Sequence, residues 1–279
     1  MTNEPPDAIA GTGIDASIPH SARIWNYWLG GKDNYAVDRT AGDAYISVHP
    51  DVTVVARASR AFLTRSVTHL ARDAGIRQFL DVGTGLPTAD NTHEIAQRVA
   101  PDARIVYVDN DPLVLAHARA LLTSTREGAT RYLEADMHEP EVILAAAREV
   151  LDFDQPIALM FMGVLGHIGD LDEAKAIVRT LLDPMVPGSY LVINDGTDVI
   201  VGAAVGKAQD EYNDSGAVAY HLRTPEQIAS FFDGLEIVEP GILSVPRWRP
   251  EVDVPGIATI HHNRVPDEVD AFGGVGRKP

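Results

Sequence analysis

Short, mostly apolar runs recur along the chain at 78–82, 105–108, 157–162 and 189–194, with amphipathic stretches between them. A strand buried on both faces reads as a continuous apolar run, so each predicts a strand of a parallel sheet flanked by helices. A further strand is predicted at 130–134, and strands at 235–239 and 257–262 complete seven. Helices are predicted at 21–29, which ends at Gly30-Gly31, and from a cap at Asp33 or Asn34 to about 48. The stretch 51–74 places Val52, Val55, Ala56, Ser59, Phe62, Leu63, Val67 and Leu70 on one side of a helix that Gly75 ends. Helices at 91–100, 113–122, 140–150 and 171–182 alternate with the strands; Asp111 caps the second of these, with Pro112 in its first turn. Thr224-Pro225-Glu226-Gln227 is a capping box that starts a helix to 232. The expected fold is α/β, Rossmann-like, with a seven-stranded sheet, mostly parallel with one antiparallel strand.

Residues 1–50 are expected to form a leader and a helical lid, 51–265 the main domain, and 266–279 a polar C-terminal tail. The segment 197–222 is longer than a connection needs and reads as a helical insertion above the ligand crevice. The aromatic cluster around Trp25, Tyr27 and Trp28 is expected to be a satellite hydrophobic cluster, a lid, or both. The formal net charge of −17 argues against non-specific binding to nucleic acid. The chain has no cysteine, which excludes disulfides, thiolate metal sites and a cysteine nucleophile; no metal site is expected. No apolar run reaches the length of a membrane span, and the polar start is unlike a signal peptide, so a cytoplasmic protein is expected.

The chemistry concentrates at Gly83-Thr84-Gly85-Leu86-Pro87-Thr88, between the first strand and its helix, with Asp109 at the end of the second strand. Strand, glycine turn, helix, strand and acid is the order of a nucleotide-binding βαβ unit, in which the acid accepts hydrogen bonds from ribose hydroxyls. Thr88 stands where a dinucleotide fingerprint has its third glycine, and no Gly-Lys-Ser/Thr phosphate loop is present. Asp81 lies two residues before Gly83, where an acid suits an amine and repels a pyrophosphate. S-adenosylmethionine has an amine, a sulfonium and a ribose, and no phosphate. The turn resembles motif I of class I methyltransferases, with Pro87 in place of that motif's last glycine.

Strand and helix rises place Arg60, with Arg57, level with the carboxyl end of the first strand, where an arginine could hold the methionine carboxylate. By similarity to class I methyltransferases, Asp136 and Met137 would meet the adenine, beside Asn110. Met162 and Gly163 end the fourth strand next to the cofactor. His167 follows as a possible proton acceptor. Tyr27, Trp28, Asp195 and Tyr212 are the expected acceptor-pocket residues.

Taken together, Ser21-Ala22-Arg23, Leu29-Gly30-Gly31-Lys32-Asp33-Asn34, Arg60-Ala61-Phe62-Leu63, 79–88 and 106–112 resemble a mainly actinobacterial family of S-adenosylmethionine-dependent methyltransferases, formerly a domain of unknown function. The resemblance covers nearly the whole chain. It implies the class I fold and S-adenosyl-L-methionine as cofactor, and it makes Pro87 a family trait. The expected activity is methyl transfer to a small-molecule acceptor. A cofactor-binding regulator without transfer activity is the alternative, and an NAD-dependent dehydrogenase is disfavoured by Thr88 and Asp81.

Overall fold

The structure, a computed structural model, describes residues 15–87, 90–121, 124–250 and 266–279. Helices α1 (Ser21–Trp28), α2 (Ala36–Val48) and α3 (Val52–Arg72) precede β1 (Gln78–Val82). Then α4 (Thr92–Val99) leads to β2 (Arg104–Asp109), α5 (Pro112–Leu121) to β3 (Ala129–Glu134), α6 (Pro140–Ala147) to β4 (Ala158–Met162), and α7 (Leu171–Leu182) to β5 (Tyr190–Gly196). The C-terminal part contributes α8 (Ala203–Asn213), α9 (Pro225–Ala229), β6 (Glu236–Ile237), β7 (Leu243–Ser244) and β8 (Ala271–Arg277).

The strands form one sheet in the order β3-β2-β1-β4-β5-β8-β6, with β7 also paired to β8. Five neighbours, β3 to β5, are mutually parallel, and β8 runs antiparallel to β5, β6 and β7. Six of the expected strands are present as β1 to β6, and β7 and β8 bring the sheet to eight. Strand order reverses direction between β1 and β4, which opens a crevice at the carboxyl ends of the strands.

Alternate residues of each strand feed opposite faces. Leu80, Val106 and Leu159 pack with α6, α7 and α9, whereas Phe79, Ile105, Ala158 and Met160 pack with α3, α4 and Trp248. Trp248 is fully buried, edge-on to Phe62 at 5.4 Å between ring centroids. Arg65 of α3 clamps its loop by donating to the carbonyls of Trp248 and Val245 at 2.8 and 2.7 Å.

The C-terminal tail is a correction. Residues 271–277 form β8, registered from Ala271 opposite Gly196 to Arg277 opposite Tyr190. Its glycine content obscured it, because glycine is depleted in ordinary strands. Here tight packing demands glycine: a Cβ on Gly273 would lie 2.3 Å from the Ile193 carbonyl oxygen. The strand expected at 257–262 lies outside the described residues.

The N-terminal helices dock on α8. Ile24, Trp28, Tyr45, Val52, Ala208 and Tyr212 share one apolar cluster. The capping expected of Asp33 or Asn34 is also corrected: Tyr35 is the cap of α2, and Asp38 accepts from its backbone N–H at 2.8 Å. Asp33 N–H and Asn34 Nδ2 instead donate to Asn26 Oδ1 at 3.1 and 3.0 Å. A Cβ on Gly31 would collide with the Asn26 side chain at 2.4 Å, so this close approach explains the second glycine of the pair. Among the described residues, no helix is long and apolar enough to cross a membrane.

Candidate functional site

The carboxyl ends of β1, β2, β3, β4 and β5 open into one cavity of about 380 Å³, roofed by α1, α2 and α8. That volume suits a small molecule rather than a water cluster. Two halves meet in it: a polar half at the strand-end loops, and a half walled by aromatic side chains.

In the polar half, Gly83 and Gly85 adopt the left-handed conformation at φ 72° and 63°. A Cβ on Gly83 would lie 2.2 Å from Val164. Asp109 Oδ2 accepts from Gly85 N–H at 2.8 Å, and Oδ1 accepts from Asp111 N–H at 3.0 Å. The acid thus braces the glycine turn it faces. Burial raises its pKa against the pull of those two N–H groups. Thr84 shares a 2.6 Å hydrogen bond with the Tyr132 hydroxyl, and Tyr132 stacks on Tyr107 at 5.9 Å.

Asp81 is buried and accepts from the Thr92 hydroxyl at 2.7 Å. Burial pushes its carboxyl up to about 6, opposed by that hydroxyl and by the positive charge of Arg60. Arg60 lines the same half and donates to the Asp90 carbonyl at 2.8 Å. Arg57 is exposed and does not line the cavity. Asn110, Asp136 and Met137 lie along the cavity, with Asp136 Oδ1 accepting from His138 N–H at 2.9 Å. Met162 and Gly163 close the floor, Gly163 at φ 74° with open space where a Cβ would stand. Thr88 lies outside the described residues.

These groups fit S-adenosylmethionine. Glycines leave the turn open, Asp109 faces the cavity with lone pairs beyond its two backbone bonds, and an acid–arginine pair matches the amine and carboxylate of a methionine end. A carboxylate has about four acceptor positions, so two bonds to the protein leave room for ribose hydroxyls.

In the other half, His167 sits in a short 3₁₀ turn, Leu165–His167, after β4. Its Nδ1–H donates to the Ala219 carbonyl at 2.9 Å, which leaves Nε2 as the acceptor nitrogen. Burial lowers its pKa, opposed by that carbonyl, so the ring is neutral near pH 7. Trp28 and Tyr212 line the cavity as expected. Tyr27 and Asp195 do not. Tyr27 turns away to donate to Asp43 at 2.6 Å. Asp195 is fully buried beneath the wall, paired with Arg223 at 2.9 Å and accepting from the Tyr220 hydroxyl. A strand-end acid points to a site in sequence, but alternation along β5 sends this one into a structural network.

Several wall residues escaped the sequence reading: Tyr45, His49, Gln209, Tyr220 and Asp270. Asp270 had no signal, because it sits in the stretch read as tail; Tyr45 and His49 lay on a helix visible only as a lid. Among the described residues, the cavity wall carries the acids Asp81, Asp109, Asp136 and Asp270 and, besides its histidines, one cationic side chain, Arg60.

Comparison with known proteins agrees with this geometry. No curated protein sequence matches the chain. A model of the S-adenosyl methyltransferase family matches residues 7–279. A DUF574 family protein from Streptomyces avermitilis is 46% identical, with a TM-score of 0.87 over 95% of this chain and 99% of that one. A candidate methyltransferase from Thermobifida fusca is 38% identical, with a TM-score of 0.83 over 97% and 99%. The dehydrogenase and binding-only readings are thereby set aside. With a glycine turn, a bracing acid and a buried carboxylate at one strand edge, the chain belongs to the S-adenosyl methyltransferase family, and S-adenosylmethionine is its cofactor.

Proposed function

We propose that the protein transfers the methyl group to a small-molecule acceptor held between the strand-end loops and the aromatic wall. The observation that carries this reading is that one roofed cavity joins both halves. A macromolecular acceptor calls for an open groove, and a net charge of −17 disfavours nucleic acid. The cytoplasm, which holds the cell's S-adenosylmethionine, is the compartment this reading requires.

When bound, S-adenosylmethionine supplies an electrophilic methyl group. Asp109 holds the ribose hydroxyls, while Gly83, Thr84, Gly85 and Thr88 let the turn approach the ligand. Arg60 takes the carboxylate and Asp81 the ammonium. Asn110, Asp136 and Met137 border the adenine, and Met162 and Gly163 flank the sulfonium end. Trp28 and Tyr212 orient the acceptor, and His167 Nε2 receives its proton. Alignment and exclusion of water account for most of the rate in such a transfer.

The amine assignment has a pH signature. An ammonium needs ionised Asp81, whose carboxyl burial has raised to about 6. S-adenosylmethionine affinity should therefore hold above pH 6 and fall by up to about tenfold per unit below it, as the acid takes a proton. Calorimetry across this range measures it, and Asp81→Asn should flatten the profile. A wild-type affinity that stays level from neutrality to about pH 5 would remove Asp81 from the amine.

The roof formed by α1 and α2 acts in this reading as a lid that closes over the cofactor. Amide hydrogen exchange across residues 18–48 tests it together with cofactor binding: protection should rise when S-adenosylmethionine is added. Equal, strong protection in both states makes the roof a fixed part of the core.

A further inference from the structure

The aromatic half of the cavity has a definite chemical character. Helices α1, α2 and α8 supply a continuous wall: Trp25 meets Trp28 at 5.9 Å, Trp28 meets Tyr45 at 5.0 Å, and Tyr45 meets Tyr212 at 6.1 Å between ring centroids. Tyr220 completes it edge-on to His167 at 5.1 Å. The rings pack edge-on or tilted against one another, and an apolar aromatic lining of this kind suits a guest with a flat, apolar body.

The charged group on this half is Asp270, and no lysine or arginine accompanies it among the described wall residues. Its carboxylate is held by the backbone N–H groups of Ile200 at 2.8 Å and Val201 at 3.0 Å, and it is 4% exposed. The acid is fixed in place, and among the described residues no side-chain cation pairs with it.

A second, independent observation concerns unmet hydrogen-bonding capacity. Three wall residues carry a buried polar atom with no partner: His49 Nε2, Asn194 Oδ1 and Thr197 Oγ1. His49 is 3% exposed, and burial lowers its pKa against the raising influence of Asp270 and Asp51, so it is neutral near pH 7. Asn194 spends its Nδ2 on Ser59 Oγ at 3.1 Å, and its carbonyl oxygen is buried without a partner. An amide oxygen and a carboxylate accept hydrogen bonds, a threonine hydroxyl and a neutral imidazole each have accepting capacity, and unmet polar atoms inside a protein cost free energy. An acceptor rich in N–H donors relieves that cost; a carboxylate or phosphate would add repulsion.

We propose that the methyl acceptor is a nitrogen nucleophile, an amine carried on a flat apolar body, which binds between the aromatic wall and Asp270. This rests on the reading that the strand-end half holds the cofactor. In the transfer, the nitrogen lone pair forms the bond to the methyl carbon as the carbon–sulfur bond breaks, and the breaking pair stays on sulfur. The proton that frees the lone pair passes to His167 Nε2. The product is the methylated amine with S-adenosylhomocysteine.

The test is calorimetric titration of the full chain, saturated with S-adenosylhomocysteine, using three probes of one shape: tryptamine, the neutral alcohol tryptophol, and indole-3-acetate. Tryptamine should bind at least on the order of tenfold more tightly than tryptophol, and indole-3-acetate more weakly still. Asp270→Asn should remove the amine preference while S-adenosylhomocysteine affinity stays at the wild-type value. Val218→Lys gives a second reading from a half-exposed position on the cavity wall that folding tolerates. It should weaken tryptamine and strengthen indole-3-acetate. Binding of S-adenosylhomocysteine with equal affinity for the three probes, or with preference for the carboxylate, overturns the amine assignment and leaves the cofactor reading standing. Failure to bind S-adenosylhomocysteine at all overturns both.

Discussion

Asp109→Ala should weaken S-adenosylmethionine binding by about 1.5–3 kcal/mol, roughly 10- to 150-fold, in a chain that remains folded. The value is that of charge-assisted hydrogen bonds to the ribose. The upper end is expected, because the same carboxylate braces Gly85 N–H and Asp111 N–H. Its loss releases the turn that approaches the ligand as well as the ribose contacts themselves. Asp109→Asn should fall between wild type and alanine, since an amide keeps one accepting oxygen but loses the charge. Calorimetry with S-adenosylhomocysteine gives the same comparison without turnover. Wild-type affinity in a folded Asp109→Ala protein would falsify the ribose assignment.

Asp38→Ala should destabilise the N-terminal helices by about 3–5 kcal/mol, the cost of leaving a buried charge without its partner. Asp38 is fully buried and accepts from His20 N–H at 2.9 Å, Tyr35 N–H at 2.8 Å and Arg23 Nε at 3.1 Å. Arg23 is itself 3% exposed. Its other hydrogen bonds go to the carbonyls of Asp15 and Ile18, which carry no charge, and its guanidinium lies over the Tyr35 ring at 5.2 Å. One carboxylate therefore joins the entry to α1 with the first turn of α2. Without it, hydrogen exchange across 18–48 should quicken by several hundredfold, on the order expected from that free energy. The central sheet, whose core does not include these residues, should keep its protection. Cofactor affinity should drop as well, because α1 and α2 roof the cavity. If exchange across 18–48 matched wild type, Asp38 would have no anchoring role.

These two acids illustrate different degrees of legibility. Asp109 announces itself by position, since it ends an apolar strand one βα unit after a glycine turn. Asp38 does not, because nothing in Val37-Asp38-Arg39 distinguishes a buried anchor from a solvated helix charge. Only the fold brings His20, Arg23 and Tyr35 around it. Asp195 is the converse case. Its place at a strand end suggests a ligand contact, yet the side chain serves Arg223 and Tyr220 beneath the wall.

What the sequence determined by itself is the part of the protein written in short-range patterns. Short, mostly apolar runs marked four of the five parallel strands, because a strand covered on both faces has no polar alternation to hide it. The glycine turn, Asp81, Asp109 and Arg60 followed from spacing along one βαβ unit. The tertiary structure decided what depends on distant segments meeting. It placed β8 inside the sheet, where close backbone contact requires the glycines that made the segment read as a tail. It assembled the aromatic wall from α1, α2 and α8, and Tyr45 and Gln209, 164 residues apart, now share a hydrogen bond at 3.3 Å. It carried Asp270 from the far end of the chain to the wall of the cavity. The polar half of the cavity is legible because much of its lining comes from one strand–turn–helix unit; the aromatic half is not, because packing alone chooses which distant side chains share its wall.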